Sequence, residues 1–152
     1  LERDTIPLLQ DQGLGLLVWS PLAGGFLSGK FTRDGEGSGR RASFDFPPID
    51  KDKGYDIVEV LSAIASDHKV SVAQIALAWV LANKTVTSVI IGARKMEQLE
   101  DNLGTVDVEL SADELAKLDE VSRLPLPYPA WMESIGSDRR PGEARGFSAA
   151  KK

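Results

Sequence analysis

The chain has 152 residues, a formal net charge of -5 and no cysteine, with 42% hydrophobic and 27% charged residues. That is the composition of an ordinary globular protein, of a length that suits one small domain or part of a larger one. The acidic balance argues against a nucleic-acid binder, whose footprint is a basic face. No apolar run is long enough to span a bilayer, and the lack of cysteine excludes disulfides and thiolate chemistry and fits a cytoplasmic location.

The first predicted helix runs to Gln12, with Ile6, Leu8 and Leu9 on its apolar side and Gly13 as its stop. Because Leu1 opens inside this amphipathic pattern, the chain is expected to be the second part of something longer. Leu14–Trp19 reads as a buried strand. Ser20 and Pro21 break it, and a glycine-rich loop leads to Lys30. A flat aromatic, a pliable backbone and a cation thus arrive together, the parts needed to hold an aromatic ring and a phosphate. The polar stretch from Thr32 to Lys53 is too long for a plain connector and reads as a functional loop over a site.

A helix is expected from Tyr55 to His68. Ser71 and Gln74 then form a capping box, opening an almost wholly apolar helix that runs to Asn83. Val86–Ile91, rich in β-branched residues, is the second strand and ends at Gly92. A short helix from Met96 to Leu103 stops at Gly104. A second capping box, Ser111 to Glu114, opens a helix to Ser122. Residues 1–122 form one unit, and 123–152 a Pro-, Gly- and Arg-rich tail. Strands alternating with helices mean a parallel α/β fold. Both strands are apolar along their length, as if covered on both faces. Two strands are too few for a stable sheet, so the missing neighbours are expected in an absent N-terminal part.

Trp19 to Lys30 reads Trp-Ser-Pro-Leu-Ala-x-Gly-x-Leu-Ser-Gly-Lys, and Val89 to Gly104 reads VIIGARKMEQLEDNLG. Together they resemble the C-terminal half of aldo-keto reductases, especially the bacterial branch related to potassium-channel β subunits. The resemblance implies a (β/α)8 TIM barrel, of which Leu14–Trp19 is strand 7 and Val86–Ile91 strand 8. In such barrels the loops after the last two strands often bind phosphate.

By resemblance, Trp19 stacks on a nicotinamide ring. Ser20, Pro21, Leu22 and Gly25 lie in the loop that wraps the pyrophosphate, and Lys30 reaches a phosphate. Gly92, Arg94, Gln98, Asp101 and Asn102 match positions at the adenosine end. Arg94 is the expected partner of a 2′-phosphate, since a guanidinium binds phosphate bidentately. Arg40 or Arg41 closes over the same group. This cluster of cations favours NADP(H). Each residue also has a plainer reading: Trp19 as a core aromatic, Lys30 and Arg94 as solvated charges, Asp101 and Asn102 as helix-exit residues. Trp79 reads as core. Trp131, in the tail where the family shapes its substrate pocket, reads as a pocket wall or a surface anchor.

The family's four catalytic residues, an aspartate, a tyrosine, a lysine and a histidine, come from the first half of the barrel, and none is assignable here. His68, at a helix end, reads as a surface or dipole partner. No metal-ligand spacing is present. Gly24 to Lys30 fits G-x-x-x-x-G-K, but Phe31 stands where a P-loop needs Ser or Thr. The expected parent is an NADPH-dependent reductase of small aldehydes or ketones, with this chain supplying the cofactor half and inactive alone. Its partner is the missing N-terminal half or a second copy, with no membrane or nucleic acid involved. The alternative is a non-catalytic NADP(H)-binding or regulatory half-barrel.

Overall fold

The computed structural model describes residues 1–33, 35, 37, 41, 44 and 46–134. They divide into two units, Leu1–Ser122 and the segment from Arg123 onward. No helix among the described residues is long and apolar enough to cross a membrane.

The first unit opens with α1 (Thr5–Gln12), ended by Gly13 in the left-handed region at φ 66, a conformation glycine adopts at little cost. The Leu14 N–H returns to the Leu9 carbonyl at 2.8 Å. That bond keeps Leu14 out of the sheet, so β1 is Leu16–Trp19, two residues shorter than expected. A 3-10 segment, Ala23–Ser28, follows.

Helix α2 spans Lys51–His68 and starts four residues earlier than expected. The Asp50 carboxylate caps it by accepting from the Lys53 N–H. Its first turn, Lys51 to Gly54, is polar and glycine-ended, so no apolar period marked it. Helix α3 is Val72–Leu81, opened by the full Ser71–Gln74 capping box. Strand β2 (Val86–Ile90) pairs parallel with β1, with Leu17 opposite Ser88, Val18 opposite Val89 and Trp19 opposite Ile90. Parallel neighbours need a long crossover, supplied here by α2 and α3. Gln10 donates from Nε2 to Thr85 Oγ1 at 2.9 Å, tying α1 to the start of β2.

Helix α4 (Met96–Leu103) runs straight into a 3-10 turn, Gly104–Asp107. Gly104, expected as a stop, keeps right-handed backbone at φ -61. It is needed for space: a Cβ there would lie 2.4 Å from Gln74 Nε2. Helix α5 is Ala112–Ser122.

The core lies between helices. Leu61 and Ile64 of α2, Ile75 and Ala76 of α3, and Leu118 of α5 form one buried cluster. The sheet has helices on one side only. Leu17, Trp19 and Ile90 are 63%, 64% and 50% exposed, so among the described residues this apolar strand face has no covering layer. The all-apolar reading of α3 holds for Ile75 to Ala78, while Trp79 is half-buried and donates its indole N–H to Asp119 Oδ1 at 3.1 Å.

In the second unit, the described residues include a 3-10 turn, Ala130–Ser134, that carries Trp131.

Candidate functional site

Because β1 and β2 are adjacent and parallel, the loops after Trp19 and after Ile90 leave the same edge of the sheet side by side. In parallel α/β folds this C-terminal edge is where ligands bind.

The first loop is strained. Ser20 and Ala23 have positive φ (56° and 50°), followed by Gly24 at 69° and Gly25 at 95°. Left-handed backbone at a non-glycine residue costs about 1–2 kcal/mol, and such strain gathers at functional sites. The loop closes on itself: the Ala23 N–H donates to the Ser20 carbonyl at 3.0 Å and the Gly25 N–H to the Leu22 carbonyl at 2.9 Å. A Cβ built at Gly25 or at Gly92 would meet nothing within 4 Å, so both backbones are open to a ligand.

Two arginines act as clamps, Arg41 on this loop and Arg33 on the long loop that follows. Arg41 is 5% exposed and donates from Nη1 to the Ala23 carbonyl and from Nη2 to the Pro47 carbonyl, each at 2.8 Å. Its guanidinium lies 5.5 Å above the buried Phe26 ring. A buried cation bonded to carbonyls is a clamp, and here the Arg41 guanidinium is turned to the Ala23 and Pro47 carbonyls. Arg40, the other candidate, lies outside the described residues. Arg33 ties the start of the long loop to α2 through Asp56 and Glu59; the hydrogen bond to Asp56 raises its pKa above the usual guanidinium value. The sequence offers no periodic or motif signal for either clamp.

Trp19 lies exposed on the outer sheet face, with Phe46 its ring neighbour at 6.3 Å. Ser20, Pro21, Leu22 and Gly25 are half-buried in the loop, and Lys30 is exposed at its end. No helix begins at Lys30; Phe31 instead stacks on Phe26 at 5.6 Å. The P-loop geometry, a strand and loop feeding directly into a helix, is therefore not formed.

After β2, Gly92 and Arg94 stand at the surface. Gln98 Oε1 accepts the Arg94 backbone N–H at 3.0 Å, joining this loop to α4. Asp101 Oδ2 accepts the Ser71 hydroxyl at 2.7 Å, and Asn102 is buried. The two loops thus share one edge, whereas Asp101 is engaged with the start of α3. Trp131 belongs to the second unit, where it is half exposed.

His68 closes α2, and its Nε2 lies 2.7 Å from Glu114 Oε1 on α5. Glu114 Oε2 accepts the Ser111 backbone N–H at 2.7 Å and the Ser111 hydroxyl at 2.8 Å. These Ser111 bonds, then the His68 contact, hold the Glu114 carboxyl down to about 2. This pair binds helix to helix away from the sheet edge.

Residues 1–123 match the family model for the Aldo/keto reductase family. The chain belongs to this family. The chain is 37% identical over 120 residues to the uncharacterized oxidoreductase YrpG of Bacillus subtilis, covering 79% of this chain and 36% of that protein. It is 37% identical over 129 residues to a putative voltage-gated potassium channel subunit beta of Schizosaccharomyces pombe, covering 79% and 37%. It is 29% identical to the NADH-specific methylglyoxal reductase of Escherichia coli, covering 80% and 38%. The chain therefore spans little more than a third of the length of these relatives. Aldo-keto reductases generally use nicotinamide cofactors. The exposed Trp19 indole, the open backbones of Gly25 and Gly92 and the surface cation Arg94 belong to the two strand ends and loops that share this edge.

Proposed function

We propose that this chain is the cofactor-binding part of an aldo-keto reductase barrel, contributing strands 7 and 8, and that the whole protein reduces small aldehydes or ketones with NADPH. The observation that carries the reading is the shared edge: β1 ends in an exposed tryptophan and a strained, open loop, directly beside the Gly92–Arg94 loop after β2. Trp19 offers a face for the nicotinamide ring. Backbone groups of Ser20, Leu22 and Gly25, with Lys30, take the pyrophosphate. Arg94 takes the 2′-phosphate, with Gln98, Asp101 and Asn102 around the adenosine.

Bound there, the dinucleotide supplies the hydride. This chain's own residues bind and orient it; the group that delivers a proton to the carbonyl oxygen comes from barrel segments that this chain lacks. Trp131 contributes to the substrate wall. The oxidoreductase and reductase names of the relatives support this class of reaction.

A relative named as NADH-specific makes the choice of cofactor a property of individual side chains rather than of the family. Arg94→Ala in the full-length protein is expected to raise the KM for NADPH about tenfold or more while leaving that for NADH nearly unchanged, as loss of a charge-assisted pair requires. Equal changes for the two cofactors would remove the 2′-phosphate assignment.

A further inference from the structure

A capping box needs two hydrogen bonds. Here the Gln74 N–H donates to Ser71 Oγ at 3.1 Å, and the Ser71 N–H donates to Gln74 Oε1 at 3.2 Å. The box leaves one donor group on each side chain, the Ser71 hydroxyl proton and the Gln74 amide N–H. Both converge on one residue of another helix. Ser71 Oγ donates to Asp101 Oδ2 at 2.7 Å, and Gln74 Nε2 donates to the Asp101 carbonyl at 2.8 Å. Capping α3 does not require either bond. A Cβ at residue 104 would lie 2.4 Å from Gln74 Nε2, so the amide would have to shift from this position.

Asp101 lies three residues beyond Gln98, on the same side of α4. Gln98 in turn accepts the Arg94 N–H. Helix α4 is therefore held at two points, to the start of α3 through Asp101 and to the backbone of the Arg94 loop through Gln98. We infer that Ser71 is a positioning residue for the adenosine end of the dinucleotide, holding Asp101 so that α4 and the Arg94 loop are fixed before binding. This rests on the reading of the Arg94 loop as that end of the site. Preordering matters because a loop that must be fixed on binding loses affinity to the entropy of ordering.

Ser71→Asp separates this role from capping. Aspartate caps a helix about as well as serine, so α3 keeps its start. Its carboxylate has no proton to give and faces the Asp101 carboxylate. Ser71→Thr keeps the hydroxyl and serves as the rescue. Gly104→Ala attacks the same link from the other side, crowding the Gln74 amide while leaving Ser71 in place.

The full-length protein and these variants are compared by thermal melting, by amide hydrogen exchange over residues 96–103, and by calorimetric titration with 2′,5′-ADP, which carries the adenosine end alone. For Ser71→Asp we expect a modestly lower melting temperature from the like-charge contact, faster exchange in α4 and about tenfold weaker 2′,5′-ADP binding. Gly104→Ala should shift exchange and binding the same way by less, and Ser71→Thr should match the wild type. Unchanged exchange in α4 for both disrupting variants would overturn the link itself. Faster exchange with unchanged affinity would overturn positioning and leave a purely structural tie. A wild-type protein that does not bind 2′,5′-ADP would instead overturn the reading of the Arg94 loop as a 2′-phosphate site and this inference with it, while the exchange data still decide whether the link exists.

Discussion

The helix layer and the outer sheet face of the first unit differ in what they do with apolar side chains. Leu61, Ile75 and Leu118 are wholly buried where α2, α3 and α5 meet. Leu17, Trp19 and Ile90, equally apolar, face outward from two strands. Stability in this unit therefore resides among helices that carry no candidate ligand-binding residue in their core. The candidate chemistry sits on a sheet edge that contributes little to that core. This separation lets loops vary while the fold holds. It also makes the two regions respond differently to substitution.

The largest effect is expected in the helix layer. Leu61→Ala should reduce unfolding free energy by about 2–5 kcal/mol, the transfer and cavity cost of a buried leucine, as read by chemical denaturation. A loss below about 1 kcal/mol would place the stability elsewhere and collapse the contrast.

Next comes the Glu114 carboxylate, which caps α5 through Ser111 and also reaches His68 at the end of α2. Glu114 has its pKa lowered from 4.5 to about 2 in the folded chain. A depressed carboxylate contributes stability that is fully present above its unfolded pKa and is lost as pH falls through the folded value. The loss therefore falls between about pH 4.5 and 2, with a size on the order of 1–3 kcal/mol. Glu114→Gln should be less stable at neutral pH and should lose the part of the pH dependence in that window. Matching acid-unfolding curves for the two proteins would show that the helix layer does not depend on this carboxylate.

Arg41 bridges the two regions, since it is buried yet holds the site loop. Arg41→Lys cannot present two donors to the Ala23 and Pro47 carbonyls at once. It should cost about 1–2 kcal/mol and speed amide exchange in residues 22–28 more than in α2. Uniform destabilisation without that local signature would make Arg41 part of the general core.

Much of this architecture is legible in the sequence. Periodicity locates the helices, and the Ser71 and Ser111 boxes mark two starts to the residue, because those motifs record local hydrogen bonds. The Trp19–Lys30 and Val89–Gly104 motifs lead to the family. The rest depends on long-range contacts that leave no local trace. Arg41 is one cation in a polar loop, and its role as a clamp rests on the distant Ala23 carbonyl and Phe26 ring. Asp101 reads as a site residue, but its engagement with Ser71 is visible only when α3 and α4 are side by side. Gly104 reads as a stop, and the α-helix does end at Leu103, but its close approach to the Gln74 amide leaves no local trace.

The smallest stability effect is expected at Trp19. On pattern alone this residue looks like core, and a core tryptophan would cost about 3–5 kcal/mol on truncation to alanine. Its indole is instead 64% exposed, with Phe46 as a tilted neighbour. In the 152-residue chain, Trp19→Ala should therefore shift unfolding free energy by no more than about 0.5 kcal/mol, the range of ordinary surface substitutions. In the full-length protein the same substitution should weaken NADPH binding, because the stacking face is gone, while Leu61→Ala should alter stability and leave the affinity of the folded fraction intact. A stability loss of 3 kcal/mol in the chain itself, with NADPH affinity unchanged in the parent, would return Trp19 to the core and leave the sheet edge without its nicotinamide platform.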